Sequence, residues 1–233
     1  MAGEITISHG ICLDIAPWSK TSHVTTWLTP NGKVPTVVKG ALRPKSRFLG
    51  QYDLNYTCEI LFYANSRNDL HALRECSPLK MRENLRFSYK ALALAGYFRS
   101  VASKLCPYGN EAGDWFTLLD THLDRLQDAA GFLELMISFD MAALSLSGLK
   151  PDFSDFQKNK SYSEFSISGG RFAGHGKCVR ISNETARYLS GEESMEKNIK
   201  ILLEASRVIG VYYNFHIGSM LDMRRLVINL ISE

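Results

Sequence analysis

Lys39, Arg43, Lys45 and Arg47 fall within the run KGALRPKSRF, whose last residue is Phe48, and Tyr52 and Tyr56 follow. Cations at this spacing can neutralise successive phosphates while aromatic rings present faces to bases, a combination suited to a single nucleic-acid strand. Lys33 extends the basic run upstream, and no carboxylate occurs between Asp14 and Asp53. The segment therefore carries a positive potential that the net charge of +3 conceals, and its expected ligand is a polyanion. The residue types alone equally fit a charged loop whose Phe48, Tyr52 and Tyr56 fill a core.

Other chemistries find less support. Gly169, Gly170, Gly174, Gly176 and Lys177 invite comparison with a phosphate-binding loop, but the spacing is one residue too long and Cys178 stands where Ser or Thr is needed. There is no G-x-S-x-G elbow and no H-E-x-x-H, and the six histidines are scattered. Asp120, Asp124 and Asp128 recur at helical spacing, which reads as a solvated face and not a cation site. Glu192, Glu193 and Glu196 precede Lys197 and Lys200, a pattern of helix-surface pairing. Nothing points to an enzyme, and no cofactor or metal is expected.

The elements that must position the basic run are strands. From His9 to about Cys76 the chain alternates apolar and polar residues in five segments separated by turn residues, with Pro30-Asn31-Gly32 a tight hairpin and Arg43-Pro44-Lys45 a loop. Such short strands without a covering helix suit a small closed barrel such as an OB-fold, with an SH3-like barrel as the alternative. The expected class is α+β: residues 1–78 form a five-stranded OB-fold, and 79–233 form a helical domain interrupted at 151–180 by an inserted loop or hairpin.

Ser77-Pro78 reads as a helix start. Leu85, Tyr89, Leu92 and Gly96 then share one seam, with Arg82, Arg86 and Lys90 as a basic stripe beside it. These three, with Arg224 and Arg225, are secondary candidates for contacts to nucleic acid or to a partner. Asp114 is placed to cap a helix whose apolar side holds Trp115, Leu118, Leu119, His122 and Leu126, which makes His122 a core residue. FLELMISFDMAALSLSG is apolar nearly all round and should be a central helix ended by Gly148. Helical signals return in NETARYLSG and in one stretch from about Met195 to Leu230.

The 233 residues, 45% hydrophobic and 22% charged, describe a globular chain with a core of ordinary size. MAGEITISHG lacks the features of a secretory signal and no stretch is suited to spanning a bilayer, so a cytoplasmic, nucleoid-associated location without membrane contact is expected. The five cysteines are odd in number and widely spaced, with no C-x-x-C, which favours reduced, buried thiols.

The run Thr29 to Lys33, followed by Lys39 to Gly50, resembles a segment of the RecO family of bacterial recombination mediators. Leu144 through Gly148 to Pro151, Phe165-Ser166 with Gly169-Gly170, and His216 through Leu221 to Arg224 are similar to later segments of that family, in the same order. The resemblance implies an OB-fold followed by a helical domain that binds single- and double-stranded DNA without catalysis. It also implies annealing of complementary strands, action with RecR, engagement of the C-terminal tail of the single-strand-binding protein SSB, and indirect help to RecA loading. Lys33, Lys39, Arg43, Lys45 and Arg47 match the family's basic segment and are carried over as phosphate contacts, with Phe48 beside them. Alternative functions are a protein adaptor that recognises an acidic peptide tail and an RNA-binding OB-fold protein. Many family members hold zinc with two pairs of cysteines in the inserted element. Here Ser154 to Gln157 contains none and only Cys178 lies near Gly169-Gly170, so packing of Phe153, Phe156, Phe165 and Phe172 is expected instead.

Overall fold

A computed structural model of the chain describes all residues except 1–3, 66–68, 108–111, 129–130, 158, 173–174, 193–197, 219–220 and 233. Gly174, Glu193, Met195, Glu196 and Lys197, named above, lie outside the described residues. The chain forms two compact units, Met1–Asp128 and Ala129–Glu233. No helix among the described residues is long and apolar enough to cross a membrane.

The first unit is built on five strands: β1 (Ile5–Ser19), β2 (Ser22–Thr29), β3 (Gly32–Val38), β4 (Thr57–Tyr63) and β5 (His71–Lys80). They close into a barrel in the order β1-β2-β3-β5-β4, with β4 paired back to β1. Every pairing is antiparallel except that of β3 with β5. This is the OB-fold, and it sets aside the SH3-like alternative. β-branched and aromatic residues recurring every second position send Trp27, Val38, Ile60, Phe62 and Leu73 to one interior. There the Trp27 Nε1–H donates to Thr36 Oγ1 at 2.9 Å, which satisfies a polar group that burial would otherwise strand. The turn at Pro30-Asn31 joins β2 to β3, with Gly32 at a φ of 124° that a side chain would resist.

Ser77-Pro78 does not begin a helix. Both residues lie in β5, where Thr57 pairs with Lys80 and Cys58 with Pro78. The register shift between those pairs is a bulge, a position in a sheet where proline is tolerated. A short 3-10 turn follows at Glu83–Phe87, and α1 (Tyr89–Leu105) starts after Ser88, whose Oγ accepts from the Ala91 amide at 3.3 Å. Because the helix starts eleven residues later than expected, its phase differs. α1 buries Ala91, Leu94, Ala95, Phe98, Val101 and Ala102, while Tyr89 and Leu92 of the expected seam are exposed.

α2 (Gly113–Arg125) buries Trp115, Leu119, His122 and Leu123. Asp114 lies in its first turn and makes no capping bond. His122 is a core residue whose Nδ1–H donates to the Leu118 carbonyl at 2.9 Å. Burial pulls its imidazole below the ordinary histidine pKa. Strands give way to helices near the sequence-derived boundary at residue 78, whereas the compact units divide between Asp128 and Ala129 because α1 and α2 pack with the barrel.

The second unit contains α3 (Phe132–Leu146), a three-stranded sheet of β6 (Tyr162–Ser166), β7 (Arg171–Phe172) and β8 (Cys178–Ser182), then α4 (Asn183–Ser190), α5 (Ile199–His216) and α6 (Leu221–Ser232). The expected single stretch from Met195 to Leu230 is thus two helices, with Gly218 at a φ of 79° between them. Phe153 stacks on Phe165 with ring centroids 4.6 Å apart, and Phe172 meets Phe165 edge-on at 5.5 Å and Phe156 at 6.3 Å. This aromatic cluster fills the base of the small sheet. The residues present do not fit a zinc site: Cys178 is the one thiol in the element, and no group of three or more His, Cys, Asp or Glu side chains among the described residues could hold a metal ion.

α3, α5 and α6 are joined by a buried ion pair. Arg224 Nη2 and Nε donate to Asp140 Oδ2 at 2.9 and 3.1 Å, and its Nη1 donates to the Ser206 carbonyl at 2.8 Å. Gly210 makes room for it, since a Cβ there would lie 2.6 Å from Arg224 Nη1. Removing one partner leaves an uncompensated charge in the interior. Asp140→Ala and Arg224→Ala are each expected to lower the unfolding free energy of this unit by about 3–5 kcal/mol, with the double variant losing less than the sum. Urea titrations of the single and double variants check this.

Candidate nucleic-acid interface

Residues 39–56 cross from β3 to β4 as a succession of tight turns. The amides of Arg43, Ser46, Leu49 and Gln51 donate to the carbonyls of Gly40, Arg43, Ser46 and Phe48 at 3.2, 2.9, 3.2 and 3.1 Å. Apolar points pin the segment: Ala41 and Phe48 are inserted in the barrel core, and Tyr52 packs against it. The thiols of Cys58 and Cys76 both donate to the Gln51 carbonyl at 3.6 Å, and the Leu42 amide donates to the Thr21 carbonyl at 3.1 Å. Ala41 and Phe48 turn inward, while Lys39, Arg43, Lys45 and Arg47 are exposed, as are Leu42 and Leu49.

Three of these cations, Lys39, Arg43 and Arg47, line a groove of about 400 Å³ whose opposite wall is Tyr63 of β4 with Ala72, Leu73 and Arg74 of β5. No carboxylate lines it. The Arg47 guanidinium lies 5.0 Å from the Phe48 ring centroid and that of Arg74 lies 5.6 Å from the Tyr63 centroid, geometries in which a ring face attracts a cation. Arg74 also meets Glu75 at 3.4 Å, but both side chains are well exposed and such a pair contributes about 0–1 kcal/mol, so a phosphate can displace it. The groove thus combines concentrated positive charge with aromatic surface, which suits a sugar-phosphate chain.

Arg74 was not among the residues singled out from the sequence. It occupies a bulge in β5: Leu61 pairs with Glu75 but Phe62 pairs with Leu73, so Arg74 is the extra residue. A bulge re-aims a side chain, here toward Tyr63, and pairing register is not written in a strand's own residues.

The structure brings together only part of the expected set. Phe48 is 6% exposed and is a core side chain, not a surface for stacking bases. Tyr52 and Tyr56 are likewise structural: the Tyr52 hydroxyl meets His23 Nδ1 at 3.1 Å, and the Tyr56 hydroxyl accepts from Arg86 Nη2 at 2.8 Å. Burial pushes the Tyr52 phenol up to about 12. Lys45 is exposed on the loop but outside the groove lining. Lys33 donates to the Ser103 carbonyl at 3.1 Å, where its charge complements the C-terminal turn of α1.

Arg82 is a buried anchor and not a surface cation. Its side chain is 1% exposed, with Nε donating to Asp124 Oδ1 at 2.8 Å and Nη2 to Asp120 Oδ1 at 2.5 Å. Nη1 donates to the Asn55 carbonyl at 2.6 Å and to Thr57 Oγ1 at 2.9 Å. Lys80 reaches the same two aspartates at 2.5 and 2.6 Å, so Asp120 and Asp124 form an ion-pair network where a solvated face was expected. Arg224 is enclosed in the same way by Asp140, and both arginines are removed from any contact surface by the cost of baring a buried carboxylate. Arg86 is exposed and pairs with Asp53 at 3.0 Å, Lys90 is half-buried in the first turn of α1, and Arg225 is exposed on α6. The expected stripe of Arg82, Arg86 and Lys90 does not exist as one surface, because the three occupy a link, a 3-10 turn and a helix.

A second groove of about 350 Å³ lies within the same unit, lined by Leu54, Met81, Leu92 and Gly96 together with Arg86, Arg99 and Asp53, the last paired with Arg86.

The family model described as "Recombination protein O C terminal" matches residues 86–225, more than half of the chain. Among curated relatives, a DNA repair protein RecO of Roseiflexus sp. is 28% identical over 132 residues, covering 57% of this chain and 46% of that protein. A DNA repair protein RecO of Moorella thermoacetica is 28% identical over 145 residues, covering 62% of this chain and 53% of that protein. The chain thus spans about half the length of the curated relatives it matches.

The contrast between exposed and enclosed cations is testable by stability. Lys39→Glu, Arg43→Glu, Arg47→Glu and Arg74→Glu together should change the unfolding free energy by about 1 kcal/mol or less, whereas Arg82→Met alone should lower it by about 3 kcal/mol. Burial raises the Asp120 carboxyl, but hydrogen bonds from Lys80 and Thr57 and the Arg82 guanidinium outweigh it and hold the group below the usual carboxylate value. That stabilisation is present above the unfolded-state pKa of about 4 and is lost as pH falls through the folded value. Urea midpoints between pH 7 and pH 3 should therefore decline at the acid end for the parent and decline less for Asp120→Asn.

Proposed function

The chain belongs to the RecO family of DNA repair proteins, and we propose that it is a non-enzymatic DNA-binding recombination mediator that uses the Lys39–Arg43–Arg47–Arg74 groove to hold a DNA strand. The observation that carries this reading is the convergence of those four cations on one groove of an OB-fold whose lining contains no carboxylate. Neutralising phosphates lets two complementary strands approach without mutual repulsion, and base pairing then supplies the driving force for annealing. Neither step requires nucleotide hydrolysis. In this reading the chain acts with RecR and assists RecA loading on DNA coated by SSB, in the cytoplasm at the nucleoid; these partners rest on the family relationship.

The second groove favours an added role in recognising an acidic peptide. A tail of aspartates ending in an apolar residue could seat that residue among Leu54, Met81 and Leu92 while Arg86 and Arg99 meet the carboxylates. The C-terminal tail of SSB is the proposed ligand. Arg86 stands in for the whole stripe considered from sequence, since Arg82 is enclosed.

Two measurements test these readings. Four phosphate contacts at about −0.7 each give a slope near −3 for the logarithm of single-strand affinity against that of salt. The fourfold Glu variant of the groove should reduce that slope toward zero and abolish acceleration of oligonucleotide annealing without ATP; unchanged annealing would remove the groove from the mechanism. Arg86→Glu with Leu92→Ser should weaken binding of an acidic tail peptide about tenfold, a change of about 1.4 kcal/mol, while leaving DNA affinity unchanged.

A further inference from the structure

The outward face of the barrel beside the groove carries an apolar block. β1 and β4 pair with Ile5 opposite Tyr63 and Ile7 opposite Leu61. Paired residues and their i+2 neighbours share a face, while the alternate residues Ile60 and Phe62 point into the core at 0% and 5% exposure. Ile5 and Ile7 are left 51% and 63% exposed, and with Leu61 and Tyr63 they are contiguous across the β1–β4 pair.

We propose that this block, Ile5, Ile7, Leu61 and Tyr63, is the platform on which the bases of a single strand lie while its phosphates follow Lys39, Arg43, Arg47 and Arg74. The inference rests on the DNA-binding reading of the groove and specifies which form of DNA that site prefers. Continuity supports it: Tyr63 belongs both to the block and to the groove lining, and the Arg74 guanidinium lies over its ring. A strand leaving the groove therefore meets apolar and aromatic surface at once. Charge defines the far limit, since the next pair along the strands is His9 with Glu59, and Glu75 stands opposite Leu61 on β5. Carboxylates there repel phosphates, so the path ends at Ile7.

A base face gains by leaving water for such a surface, whereas the bases of a duplex are stacked on one another and present only their edges. The block consequently favours single strands over duplexes. A protein partner is the weaker candidate. A stable protein interface buries about 1,000 Å² or more, far beyond four side chains, and this block opens onto cations.

The test uses the full chain and three probes of equal length: oligothymidylate, the same phosphodiester with abasic sites throughout, and a duplex. The parent should bind oligothymidylate about tenfold more tightly than the abasic strand, as expected for about one stacked base. In Ile5→Thr with Ile7→Thr, a β-compatible change at exposed positions, that preference should shrink severalfold with no change in salt slope, duplex affinity or melting temperature. Tyr63→Ser provides a second variant reading the same preference. Equal affinity of the parent for ordinary and abasic strands would overturn the inference while leaving the groove intact, provided the salt slope holds. No strand binding by the parent would remove both readings. Loss of self-association in sedimentation velocity, with the base preference unchanged, would overturn it in favour of a contact between copies of this chain.

Discussion

The first unit depends on the placement of one guanidinium. Arg82 reaches Asp120 and Asp124 on α2, Thr57 at the start of β4 and the carbonyl of Asn55, so a single side chain ties a helix to the barrel. The backbone accommodates this at some cost, with Arg82 at a φ of 50° and Asn55 at 68°, both in the left-handed region that non-glycine residues seldom occupy. Strain of that kind persists only where surrounding bonds over-determine it, and the network supplies them. A planar group with a fixed fork of donors suits the task better than lysine, whose single ammonium could not address two carboxylates, a hydroxyl and a carbonyl in different directions.

The same network has an electrostatic consequence for the groove. Asp120 and Asp124 are neutralised by Lys80 and Arg82, and Asp53 faces Arg86. Since the sequence holds no carboxylate between Asp14 and Asp53, Lys39, Arg43 and Arg47 have no acidic residue beside them in the chain, and Asp53, farther along the loop, is the one paired with Arg86. Their field is left for a ligand. The arginines of this unit thus differ in kind: Arg82 is enclosed and holds the elements together, whereas Arg74 and Arg86 make only exposed ion pairs, with Glu75 and Asp53.

Much of this was legible in the residues. Alternation and turn residues located the strands, and the all-apolar run located α3. What could not be read was anything decided by pairing across the sheet or between distant elements. Pro78 reads locally as a helix start, yet a bulge opposite Thr57 and Cys58 lets it sit in β5. Arg74 reads as one more surface cation until another bulge turns it to the groove. Arg82 and Arg224 carry the same local signal as Arg86 and Arg225, and only the carboxylates they meet, Asp120, Asp124 and Asp140, decide which are buried. Phe48 illustrates the converse, since a ring between basic residues can stack on a base or fill a core, and the barrel interior claimed it first.

That claim on Phe48 bears on how the groove can work. A mobile basic loop would pay conformational entropy each time it closed on a strand, up to about 1–2 kcal/mol for each residue ordered. Here Ala41 and Phe48 in the core, the turn bonds from Gly40 to Gln51 and the thiol contacts to Gln51 order the segment beforehand. Phe48 therefore acts by fixing its neighbours and is not itself a surface on which a base could stack. A track of cations ordered in advance, with the sheet face reached through Tyr63 beside it, lowers the entropic cost of the strand binding proposed for it.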